Sequence, residues 1–101
     1  MWLFVFFDLP TETKQDRYEY SQFRKRLLKD GFSMMQYSVY TRHCASQESA
    51  LVHINRVQRM LPPKGSISIA QFTDKQYGRI VNFWGSGRKP IKEAPKQLEM
   101  F

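Results

Sequence analysis

The 101-residue sequence predicts an α+β sandwich, with helices covering one face of a four-stranded antiparallel sheet. Three observations carry this prediction: an apolar run that opens the chain, two segments of helical periodicity closed by breaking residues, and stretches in which β-branched and aromatic residues alternate with others.

In the opening MWLFVFFDLP, Trp2 to Phe7 are apolar without interruption, which predicts a short strand buried on both faces. Asp8 stands where that strand leaves the core. In TETKQDRYEYSQFRKRLLKDG, Thr13 and Asp16 have capping-box spacing, and Gly31 is a natural helix stop. At about 100° per residue, Tyr20, Phe23 and Leu27 line one face of this helix. Lys14, Arg17, Arg24 and Lys25 occupy a separate basic sector, shared only with Leu28. FSMMQYSVYTRH reads as a second strand, with Met35, Tyr37 and Val39 on one side and Gln36, Ser38 and Tyr40 on the other. SQESALVHINRVQRMLPP places Ala50, Ile54, Val57 and Leu61 on one helical stripe before two prolines end it. GSISIAQFT sets Ile67 and Ile69 against Ser68, Ala70 and Phe72, and RIVNFWG reads as the fourth strand. The predicted order is βαββαβ, a ferredoxin-like sandwich.

Two helices cover only one sheet face. The first strand is apolar on both, so its other face is expected to be covered by the same sheet of a second copy, in a symmetric homodimer. Asp8, at the tip of a central strand, is then a residue that meets its own copy across the two-fold axis.

Composition limits the function classes. A domain of this size buries only about two thirds of its unfolded surface, so a partner helps to stabilise it. Sixteen Lys and Arg against nine Asp and Glu give a charge of +7, which favours nucleic acid or an anionic surface, although solubility alone would also account for it. Cys44 is the single cysteine and cannot form an internal disulfide, which suits a reducing, cytoplasmic setting. The apolar N-terminal run is too short for a signal peptide and lacks a basic flank, and no segment approaches the roughly 20 apolar residues of a membrane span. His43 and His53 are expected to be packed or exposed, with no catalytic role.

FVFFDLP, Arg17, Gly31 and QYSVY, in that order, resemble the small ferredoxin-like subunit of the CRISPR spacer-acquisition machinery, a family described as metal-dependent endonucleases. The resemblance covers essentially the whole chain. It implies that Asp8 from both subunits holds one Mg²⁺ at the dimer axis, where the ion would orient a water and stabilise charge on a scissile phosphate. It also implies that the dimer bridges two copies of a larger CRISPR integrase and presents a basic surface to double-stranded DNA. Lys14 and Arg17, with Lys75 and Arg79, are the candidate phosphate contacts. The plainer alternatives are a turn role for Asp8 before Pro10, and ordinary surface charge for the four cations.

GSGRKP reads as a flexible basic hinge, which places the boundary of the domain 1–84 before a docking segment 85–101. That segment ends on Leu98, Met100 and Phe101, an apolar terminus expected to dock rather than stay in water, unless it is a frayed end. By resemblance, the part after the hinge extends a sheet as an extra strand and the last residues touch the integrase. Two other classes share this element order. An RNA-recognition module would stack bases on its sheet, but GSISIAQF lacks the basic, Gly and aromatic pattern of such sheets. A free-standing, toxin-like endoribonuclease would use the same acid and dimer, and would cleave RNA without a partner.

Overall fold

The computed structural model describes residues 1–85 and, for the backbone alone, 87–89. A four-stranded antiparallel sheet of order β2-β3-β1-β4 is formed by β1 (Trp2–Asp8), β2 (Ser33–Gln36), β3 (Val39–His43) and β4 (Ser66–Phe72). Helices α1 (Lys14–Lys29) and α2 (Gln47–Arg59) lie on one face, and a short α3 (Asp74–Gly78) follows β4. β5 (Asn82–Trp84) and β6 (Gly87–Lys89) pair with each other in a separate sheet.

The βαββαβ order holds, but by a different division of the chain from the one read in the sequence. FSMMQYSVYTRH is two strands, folded back at Tyr37 and Ser38, and RIVNFWG contributes no strand to the main sheet. The turn lacks Gly, Pro and Asn. Ser38 instead takes a left-handed conformation (φ 67°), and its carbonyl accepts a hydrogen bond from Phe7 N at 3.1 Å. A contact distant in sequence thus fixes the turn. Tyr37 consequently leaves the strand alternation and stacks on Tyr20, their ring centroids 6.1 Å apart.

The two helices end as their sequences demand. Asp16 N donates to Thr13 Oγ1 at 2.9 Å and Thr13 N donates to Asp16 Oδ2 at 3.2 Å, completing the capping box of α1. At its other end, Phe32 N reaches Leu27 O and Gly31 N reaches Leu28 O, the Schellman pair that Gly31 permits at φ 90°. α2 stops at Arg59, so Leu61 lies beyond the helix and is exposed; His53 joins Ala50 and Val57 on the buried stripe in its place.

Strand alternation in β1 divides the core. Leu3, Val5 and Phe7 face the helices and pack with Phe23, Leu27, Tyr40, Ala50 and Val57. Trp2 and Phe4 face the other way, into a smaller cluster with Tyr77, Met35, Val39, Ala70, Phe72 and Ile80. Half of the second face is therefore covered from within the chain: Tyr77 of α3 stacks on Trp2 with ring centroids 3.7 Å apart and planes 6° from parallel. Five residues are too few to show helical periodicity, and α3 is absent from the sequence reading, although Thr73 and Gln76 form a second capping box.

Candidate functional site

The site follows from the same alternation. Trp2, Phe4, Phe6 and Asp8 point to the face opposite the helices, and α3 covers only the Trp2 end. Phe6 remains 39% exposed and Asp8 is exposed. The register places Ser68 beside Phe6, Ser66 beside Asp8, and Val39 across from Phe6. A shallow groove of about 310 Å³ results, lined by Phe6, Phe7, Asp8, Ser38, Val39, Ser66 and Ser68. It contains one carboxylate, three hydroxyls and a small apolar floor.

Gly65 holds the rim of this groove. Its φ is +92°, a region that L side chains rarely adopt, and its backbone packs directly on Asp8 and Leu9. On the other side of Asp8, Arg17 Nη1 donates to Thr11 O at 3.1 Å and to Glu12 O at 2.9 Å. One nitrogen of Arg17 thus braces the loop leading from Asp8 into α1, while the residue as a whole remains exposed. Lys14, the first residue of α1, is exposed nearby.

Lys75 and Arg79 lie elsewhere. They belong to α3 and its cap, beside Trp2, and Trp2 is about 20 Å along β1 from Asp8 at roughly 3.3 Å per residue. One copy of the chain therefore holds two basic pairs at opposite ends of its central strand. Leu98, Met100 and Phe101 lie outside the described residues, and the β5–β6 hairpin straddles the boundary expected at residue 84.

The histidines and the cysteine are engaged in packing. His53 is buried, with Nδ1 2.8 Å from Asp30 Oδ2; His43 packs edge-on against Trp2 and lies 3.3 Å from Asp74. Cys44 is buried, and burial pushes its thiol up, away from a reactive thiolate. Among the described residues, no group of three or more His, Cys, Asp or Glu side chains stands close enough to hold a metal ion. Asp8 and its serines supply hard oxygen donors of the kind Mg²⁺ takes, but one carboxylate is half of a site at most, so the residues fit the ion only if a second copy completes it. Apart from the Asp8 carboxylate, none of the lining residues could act as a general base, and serine hydroxyls without one are weak nucleophiles. The serines are invisible in the sequence reading because only the strand register brings them beside Asp8. No helix among the described residues is long and apolar enough to cross a membrane.

Comparison with known proteins is consistent with this geometry. The model of the family "CRISPR associated protein Cas2" matches residues 1–80. A protein named CRISPR-associated endoribonuclease Cas2 from Parvibaculum lavamentivorans is 50% identical over 101 residues, covering 100% of both chains. One of the same name from Flavobacterium psychrophilum is 50% identical over 103 residues, covering 100% of this chain and 88% of that one. A crystal structure of Streptococcus pyogenes Cas2 at pH 6.5 superposes with a TM-score of 0.61, covering 79% of this chain and 95% of that one; at 21% identity it shares the fold.

Proposed function

The chain belongs to the Cas2 family of CRISPR-associated proteins, and from that premise we propose that it is a homodimeric scaffold for spacer acquisition, with a latent Mg²⁺-dependent nuclease site at Asp8. The observation that carries this reading is the composition of the Asp8 groove: a single exposed carboxylate, with no other acid or histidine in the lining, set beside exposed apolar surface. Two copies opposed through the open sheet face would cover Phe6 and Val39 and bring a second Asp8 to the first. Mg²⁺ held by that pair would polarise a phosphate and lower the pKa of a bound water. The chain's own residues do the rest. Asp8 supplies a hard oxygen, Ser66 and Ser68 offer hydroxyls to a phosphate or its water, and Gly65 fixes the strand end that aims the carboxylate.

Lys14 and Arg17 sit at the same end as Asp8 and would take phosphates of a DNA duplex without reading its sequence; Lys75 and Arg79 would meet a separate stretch of backbone. The partner in this reading is the CRISPR integrase, docked by Leu98, Met100 and Phe101. The names of the relatives favour a second reading, a stand-alone endoribonuclease. Incubating the purified protein with labelled RNA and labelled duplex in Mg²⁺, with and without its integrase, separates the two. The scaffold is inert alone, whereas the ribonuclease cuts RNA at low concentration with no partner. For the metal, calorimetric titration of Mg²⁺ should give a binding isotherm with the wild type that Asp8→Asn lacks; identical traces would remove the Mg²⁺ site.

A further inference from the structure

The Asp8 end of the molecule carries a second concavity, on the helix side of the sheet. A pocket of about 50 Å³ opens between the loop that follows β1, the first two turns of α1 and the loop that leads into β4. Leu9, Pro10, Tyr20, Pro62 and Pro63 line it with apolar surface, and Gln15, Asp16, Glu19 and Lys64 supply its polar groups. Its walls are fixed in advance. Three of the lining residues are prolines, whose φ is locked, and Gly65 packs directly on Leu9. Lys64 Nζ lies 3.6 Å from Asp16 Oδ1, which ties the loop before β4 to α1.

Charge and size together narrow what this pocket takes. Glu19 accepts from Gln15 Nε2 at 2.9 Å, but among the described residues no cation stands within ion-pair distance of it. Two carboxylates against one lysine make the pocket acidic in a chain of charge +7, so it repels phosphate and favours an apolar side chain with a cation beside it. A cofactor-sized ligand needs a cavity of about 300 Å³ or more, which excludes that class. About 50 Å³ holds roughly four water-sized groups at about 10–15 Å³ each, which matches a leucine side chain and is too little for a phenylalanine ring.

We propose that this pocket seats Leu98 of the chain's own C-terminal segment, with Lys96 beside Glu19. In an extended segment Lys96, Leu98 and Met100 share one face, and Gln97, Glu99 and Phe101 the other. The cation and the aliphatic side chain therefore reach the pocket together, while Glu99 is turned away from its acids. The chain is also long enough. Lys89 pairs with Asn82, close behind the α3 helix that stacks on Trp2, and Trp2 is about 20 Å along β1 from the pocket end. From Lys89 to Leu98 an extended chain spans about 30 Å. A regulatory consequence rests on the integrase-docking reading given above. Leu98 cannot occupy the pocket and the integrase at once, so the free protein stores its docking segment and the integrase displaces it.

The test uses full-length proteins and a fluorescein-labelled peptide of residues 90–101, read by anisotropy. Full-length Leu98→Asp, whose own segment no longer fits, should bind the peptide about tenfold more tightly than the wild type, where the tethered segment competes at a millimolar effective concentration. Adding Glu19→Lys to that protein should weaken the peptide about fivefold, and a Lys96→Glu peptide should recover the loss, because the two exposed charges are then merely exchanged. Equal binding to the wild type and Leu98→Asp overturns the inference. Peptide binding that Glu19→Lys leaves unchanged overturns it too, by assigning the segment to a sheet edge, as does dissociation of the dimer by Leu98→Asp, which would make the second copy the acceptor. Integrase binding is read separately. Glu19→Lys alone, which frees the stored segment, should bind the integrase several-fold more tightly, whereas weaker binding overturns the inference by making the integrase the occupant of the pocket. Integrase binding unaffected by Leu98→Asp removes the docking reading and leaves the pocket to be decided by the peptide.

Discussion

Gly65 packs so closely on Asp8 that a Cβ added to it would lie 2.6 Å from the Asp8 carbonyl oxygen, and equally near Leu9 Cδ2. The contact joins the start of β4 to the end of β1, and so fixes the direction in which the Asp8 side chain leaves the sheet.

Gly65→Ala is therefore expected to lower stability by about 1–3 kcal/mol, through a left-handed backbone conformation and a steric clash acting together. The urea midpoint of unfolding measures this. A midpoint equal to that of the wild type would mean that the β4 start is free to move away from Asp8.

The stack of Tyr77 on Trp2 gives a second expectation. Tyr77→Ala removes the ring that closes half of the open sheet face, and should cost about 3 kcal/mol. Tyr77→Phe keeps the stack and loses a hydroxyl for which no hydrogen bond is found among the described residues, so its cost should stay below about 0.5 kcal/mol. Equal losses in the two variants would place the value of Tyr77 in its hydroxyl and contradict the packing account.

Asp30 sets an acid limit on stability. Burial raises its carboxyl, but the hydrogen bonds and charges of His53 and Arg56 outweigh that, and the group ends below its usual 3.8. A carboxylate depressed in the folded state stabilises above its unfolded value, and that contribution is lost as pH falls through the folded value. The wild type should thus lose stability steeply below about pH 4, whereas Asp30→Asn should start lower at neutral pH and show a shallower acid limb. Parallel pH profiles of the thermal midpoint would show that the His53 and Arg56 contacts do not hold Asp30 ionised.

Much of the fold is legible in the sequence because its signals are local. The capping box at Thr13 and Asp16, the stop at Gly31 and the alternation of Ile67 and Ile69 each need only a few neighbouring residues. The turn at Ser38 is not legible, because its positive φ is held from a distance by Phe7. Nor is the place of RIVNFWG, whose Asn82–Trp84 has strand propensity but pairs with β6 outside the main sheet. The same division holds for the site. Asp8 stands out as an acid ending an apolar run, whereas Ser66 and Ser68 come beside it only once strand register is set.

The most direct test of the central claim is reconstituted spacer integration with the cognate integrase, comparing wild type, Asp8→Ala and Lys14→Ala/Arg17→Ala at fixed salt. A DNA-binding scaffold with a latent nuclease site predicts near-normal integration by Asp8→Ala and a severe loss in the basic variant. Full integration by the basic variant, with failure of an Asp8→Ala protein that still dimerises, would contradict the scaffold and make the carboxylate site the working part of the molecule.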